Sequence, residues 1–131
     1  IQEIAPDEPF FLYVAHYAPH WPLHAPANAI EKYRNKYYKD GWDNLRERRF
    51  RKLKEMGIID HKWECSPRDE HSIPWEGADH HDWEDARMAT YAAQIDIMDQ
   101  GIGRILQVCE EKEIMENTMI IFLSDNGGGG E

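Results

Sequence analysis

The chain has 131 residues, 41% of them hydrophobic and 31% charged, with a net charge of −10 at pH 7. That acidic balance argues against a nucleic-acid surface, and no apolar run approaches the roughly 20 residues of a membrane-spanning helix. Cys65 and Cys109 are too few for a disulfide framework and lack metal-ligand spacing.

The first predicted element is a strand. Phe10-Phe11-Leu12-Tyr13-Val14-Ala15 is a short apolar run of aromatic and β-branched residues following Pro9, the pattern of a strand buried on both faces. It leads into Ala18-Pro19-His20-Trp21-Pro22-Leu23-His24-Ala25-Pro26. Three prolines in that stretch cannot continue a strand or make a helix, which predicts a stiff, extended loop. Such a loop is a good mount for an imidazole that must not wander, and His20 is the candidate. His16 reads as packing near the strand end, and His24 is close enough to line a pocket.

A short helix is expected over 28–38, with Ile30, Tyr33 and Tyr37 on one face. After Gly41, Trp42 to Met56 reads as a second helix ended by Gly57. Trp42, Leu45, Phe50, Leu53 and Met56 share one side of it, within roughly 140° of arc. The basic run Arg46 to Lys54 reads as a solvated face. Residues 58–82 are polar, without periodicity, and read as an irregular insertion facing substrate. Of Trp63, Trp75 and Trp83, packing of the loop onto its own core is favoured over stacking on a sugar or aryl ring. Asp79, His80, His81 and Asp82 are adjacent residues without supporting ligands, so a solvated loop is favoured over a metal site.

The longest predicted helix runs from Trp83 to about Glu113. Met88, Tyr91, Ala92, Ile95, Met98, Ile102, Ile105, Leu106 and Cys109 form its apolar stripe. Gly101 and Gly103 imply close approach of another backbone. Asp99 interrupts the stripe, so it needs a partner. A backbone N–H or a side chain of the 16–24 loop would make it a positioning residue for His20, and a plain helix-to-sheet anchor is the alternative. Asn117-Thr118 then turn into a second strand, Met119-Ile120-Ile121-Phe122-Leu123, followed by Ser124-Asp125-Asn126-Gly127. Ligands of open α/β sheets bind beyond the carboxyl ends of strands. Asp125 and Asn126 offer hard oxygen donors there, suited to Ca²⁺ or Mg²⁺. Strand, helices, long helix and strand read as a right-handed crossover in a mostly parallel sheet, giving an α/β class. Two strands make no stable sheet alone, so the chain is expected to be an internal part of one larger catalytic domain.

Pro9-Phe10-Phe11-Leu12-Tyr13, Pro19-His20-Trp21-Pro22, the helix with Met98-Asp99 and Gly103-Arg104, and Phe122-Leu123-Ser124-Asp125-Asn126-Gly127 occur in this order. Together they resemble the sulfatase family, of the arylsulfatase type within the alkaline-phosphatase superfamily. The resemblance covers nearly the whole chain. It implies an alkaline-phosphatase-like fold, hydrolysis of sulfate esters, and a periplasmic or secreted location. It also implies that Asp125 and Asn126 are ligands to a divalent cation, Ca²⁺ or else Mg²⁺. His20, by the same resemblance, contacts the sulfate and the bridging oxygen. An imidazole, with an unperturbed pKa of about 6.5, can there assist departure of the leaving group.

The family's nucleophile is a formylglycine made from Cys or Ser in a motif with Pro and Arg. Cys65-Ser66-Pro67-Arg68 is one residue short of that motif and lies in the irregular segment, so Cys65 reads as structural. The nucleophile, the remaining cation ligands and the sulfate-binding Lys of the family are expected outside this chain, which alone should be inactive. The substrate expected is a sulfate-ester small molecule or a sulfated glycan. A phosphoester or phosphonate hydrolase of the same superfamily is one alternative reading. A catalytically degenerate binding protein of this fold is the other.

Overall fold

The computed structural model describes all residues except 2, 4, 6, 37–39 and 128–131. Its helices are α1 (Ala27–Glu31), α2 (Gly41–Glu55) and α3 (His81–Glu111), with 3₁₀ turns at Trp75–Gly77 and Met115–Asn117. The chain divides into two compact units, Ala15–Asp99 and Ile1–Val14 with Gln100–Glu131.

In the first of these, α1 starts on the carbonyl of Pro26, which accepts from Ala29 and Ile30 N–H at 3.0 and 3.1 Å. It is shorter than the expected 28–38 helix. Asn35 adopts a left-handed φ of 59°, and its N–H donates to Asp85 Oδ2 at 2.9 Å. An N–H taken by a side chain is lost to the helical ladder, so the helical path ends. Tyr37, expected on the same face, lies outside the described residues.

The second helix forms where its periodicity predicts. Gly57 takes φ 70°; its N–H reaches Lys54 O at 2.9 Å, and Ile58 N–H reaches Leu53 O at 3.0 Å. These are the two bonds of a Schellman stop, which satisfy carbonyls the helix end leaves open. The basic run is more than a solvated face. Arg46 Nη2 donates to the Ser66 carbonyl and hydroxyl at 2.6 and 2.9 Å, and Lys54 Nζ donates to His61 O at 2.7 Å. Cationic side chains of α2 therefore tie down a segment that has no backbone ladder of its own.

Trp75 is the other anchor of residues 58–82. Its N–H donates to Asp43 Oδ2 at 2.7 Å, and the same carboxylate meets Arg68 Nη2 at 3.1 Å. The indole stands edge-on to Trp42 at 4.7 Å and stacks on His81 at 4.6 Å. Gly41, at φ 61°, lies where a Cβ would overlap the Trp75 ring. Of the three tryptophans, Trp75 packs as expected, while Trp63 and Trp83 are exposed.

The third helix extends over the expected range and ends on a second Schellman stop. Glu113 at φ 58° fills the left-handed position, with Glu113 N–H to Glu110 O at 2.9 Å and Ile114 N–H to Cys109 O at 3.0 Å. The buried line of α3 differs from the expected stripe. In the 15–99 unit it follows Asp85, Ala89, Ala93 and Gln94, while Tyr91 and Ile95 are exposed. Small side chains let the 32–35 turn come close, and Lys32 Nζ there meets Asp96 Oδ2 at 2.7 Å. That hydrogen bond, and the charge behind it, raise the Lys32 ammonium above its ordinary value. No other backbone closes on Gly101 or Gly103 among the described residues.

Residues 9–17 and 118–124 form no strand ladder, and no strand is present among the described residues. Both apolar runs are uncovered: Phe11 is 92% and Phe122 74% exposed. Among the described residues no helix is long and apolar enough to cross a membrane.

Candidate active site

His20 sits in a tight turn, not in the extended loop that the prolines predict. The turn closes with His20 N–H donating to Tyr17 O at 3.0 Å. Proline fixes its own φ and removes a donor, but it does not forbid a bond between the residues around it. The Trp21 carbonyl is the focus of the turn. It accepts from the Tyr17 hydroxyl, and it lies 2.8 Å from His20 Nδ1. A carbonyl only accepts, so Nδ1 carries a proton in this contact. Nε2 then carries a lone pair when the ring is neutral and an N–H when it is protonated. His20 is exposed, with the Tyr17 ring 5.4 Å away. His16 and His24 are also exposed.

One side chain reaches the turn from α3. The Arg87 guanidinium lies 5.6 Å from the centre of the Trp21 ring, inside the range of a cation–π contact, about 0.5–1 kcal/mol at an exposed site. Arg87 Nη1 in turn meets both carboxylate oxygens of Glu84 at 3.1 Å. Nothing in the sequence marks Arg87 for this contact, because the predicted stripe of α3 counts only apolar side chains.

Asp99 is exposed, and no hydrogen bond or ion pair involves it among the described residues. The partner expected from the 16–24 loop is not there. Counting at about 100° per residue places Asp99 at the edge of the buried line, while Asp85 and Asp96 fall nearer to Ala89. Asp85, buried, takes the backbone N–H of Asn35, and Asp96 takes Lys32. A helical wheel centred on the alanines would have found both.

Asp125 and Asn126 occupy a bend after the 118–124 segment, in the other unit. Ser124 Oγ donates to Asn126 O at 2.6 Å, and Asn126 Nδ2 donates to Gly127 O at 2.7 Å. This leaves Asn126 Oδ1 free to accept. Asp125 is exposed and makes no hydrogen bond or ion pair among the described residues. Both are hard oxygen donors, which fits a divalent cation of the Ca²⁺ or Mg²⁺ kind. Two ligands fall well short of a full shell, and no group of three or more His, Cys, Asp or Glu able to hold an ion occurs among the described residues. Cys65 is exposed and Cys109 buried, both as free thiols.

All of residues 1–131 match the family model described as Sulfatase. The chain belongs to the sulfatase family. It is 35% identical over 95% of its length to an uncharacterized sulfatase of Schizosaccharomyces pombe, of which it covers 23%. It is 32% identical over 92% of its length to an arylsulfatase of Klebsiella aerogenes, of which it covers 26%. A sulfatase of Formosa agariphila matches 30% of the chain at 46% identity, with 9% of that protein covered. The chain thus spans about a quarter of the length of the first two relatives. The family match confirms the resemblance carried by the Pro-His-Trp-Pro and Ser-Asp-Asn-Gly stretches.

Proposed function

We propose that the full-length protein is a sulfuric ester hydrolase of the arylsulfatase type and that this chain supplies two parts of its active site. The observation that carries this reading is the family match over the whole chain, joined to an exposed His20 ring whose Nδ1 is tied to the Trp21 carbonyl. His20 binds the sulfate ester and, when protonated, places Nε2–H at the bridging oxygen. Proton transfer there neutralises the oxygen as the bond to sulfur breaks. Asp125 and Asn126 are ligands to a divalent cation, Ca²⁺ in the first instance. When bound, that cation would draw negative charge from the sulfate oxygens. The nucleophile, a formylglycine by family resemblance, is contributed from outside this chain.

The same reading supplies a fold. An apolar run exposed on every side is what a doubly buried strand looks like without its neighbours. We therefore place 10–16 and 119–124 in a mostly parallel sheet of an α/β domain, completed by residues beyond this chain.

The test is an assay of the full-length protein on matched aryl sulfates and aryl phosphates, with Ca²⁺ added and then chelated. The expected result is release of sulfate, lost with chelator and restored by Ca²⁺. Faster release of phosphate than sulfate would overturn the assignment in favour of phosphoester hydrolysis, and turnover of neither would support a binding role.

A further inference from the structure

We propose that Arg87 is a positioning residue for His20, acting through the Trp21 ring. This inference rests on the reading of His20 as the group that assists the leaving oxygen. All of its contacts lie within the Ala15–Asp99 unit.

His20 Nδ1 is tied to the Trp21 carbonyl at 2.8 Å, so the peptide at Trp21 fixes both the tautomer and the direction of the ring. The Tyr17 hydroxyl donates to the same carbonyl. These bonds orient His20 only as well as residue 21 is itself held. The turn is exposed around Trp21 and buries little of its own surface. A link to a regular element is the Trp21 ring, whose centre lies 5.6 Å from the Arg87 guanidinium.

Arg87 is not a loose surface cation. Glu84, three residues earlier on α3, holds its Nη1 with both carboxylate oxygens at 3.1 Å, and the Glu84 side chain is only 21% exposed. A guanidinium fixed on one side by a carboxylate can offer its face to an indole at small loss of freedom. The order of dependence is Glu84, Arg87, the Trp21 ring, the Trp21 carbonyl and then His20 Nδ1. At the end of that line stands Nε2, the atom that meets substrate.

The experiment is a double-mutant cycle in the full-length enzyme, using Arg87→Met, His20→Ala and both together, on aryl sulfates with poor leaving groups. With His20 present, Arg87→Met should lower kcat roughly 2- to 5-fold, the scale of an exposed cation–π contact, while KM stays unchanged. With His20 already replaced, the same substitution should cost nothing further. Arg87→Lys, which keeps a cation over the ring, should recover most of the rate. Trp21→Leu should reproduce the loss with the Glu84–Arg87 pair intact, and it decides the matter if Arg87→Met does not fold. Equal fractional losses in both His20 backgrounds, or no loss in either, would show that Arg87 is structural only. A separate failure is visible in the His20→Ala arm: if that change leaves the leaving-group dependence of the rate unaltered, the His20 assignment falls and the role of Arg87 falls with it.

Discussion

The turn at 17–22 and the segment 118–127 carry the two sets of candidate groups, and they are held in opposite ways. In the turn, one carbonyl gathers the Tyr17 hydroxyl and His20 Nδ1, while Arg87 bears on the ring of the same residue. Among the described residues, the bend at Asp125 and Asn126 has hydrogen bonds only between near neighbours, Ser124 to Asn126 and Asn126 to Gly127. The chemistry explains the contrast. A proton donor must be aimed before substrate arrives, because its efficiency depends on distance and angle to one oxygen. A cation ligand is aimed by the ion it binds and by the other ligands of the shell. On the proposed roles, the first device is built inside a short stretch of chain, and the second would be completed by ligands elsewhere in the protein.

The largest effect expected is at the loosely held region. Asp125→Ala in the full-length protein should remove several kcal/mol of transition-state stabilisation, a loss on the order of 10³-fold in turnover. Calorimetric titration should show weaker Ca²⁺ binding as well. Unchanged Ca²⁺ affinity with full turnover would remove the bend from the site and break the comparison.

A smaller effect should come from the scaffold of the tightly held unit. Asp85→Ala leaves the Asn35 N–H without its buried acceptor, which should cost about 1–3 kcal/mol of stability in denaturant unfolding. Asp99→Asn, at an exposed position, should stay within about 0.5 kcal/mol and leave kcat unchanged. Asp85, buried and partnered, thus matters to the fold where exposed Asp99 does not.

The smallest change expected to be measurable lies at the entrance to the second region. Glu113→Gly relieves a left-handed residue at the end of α3 and should stabilise the protein by about 0.5–1 kcal/mol, with activity unaltered. Thermal melting is a sufficient measurement.

Much of the helical content can be read from the sequence, because α2 and α3 show 3.6-residue periodicity and α2 adds a recognisable stop. Gly57 announces the end of α2; the end of α3 is the same motif written with Glu113, which carries no such signal. The 28–38 helix was read too long because its limit is set by Asp85, fifty residues further on. The prolines around His20 suggest an extended path, which a turn replaces, since the closing bond runs between Tyr17 and His20, neither of them proline. His20, Asp125 and Asn126 are legible from their places after apolar runs and from the family motifs; no periodicity or charge pattern marks them. Arg87 was not legible at all, because a cation–π contact across a loop and a helix leaves no spacing to count. Trp75 was one of three equivalent candidates until Gly41 and Asp43 gave it a seat.

The most direct test of the account is the rate of His20→Ala in the full-length enzyme across a series of aryl sulfates of graded leaving-group acidity. His20→Ala should slow poor leaving groups by roughly 10²- to 10⁴-fold and good ones far less, so that the dependence on leaving-group pKa steepens. The same fractional loss for every substrate would contradict the proton-donor role and assign His20 to sulfate binding alone.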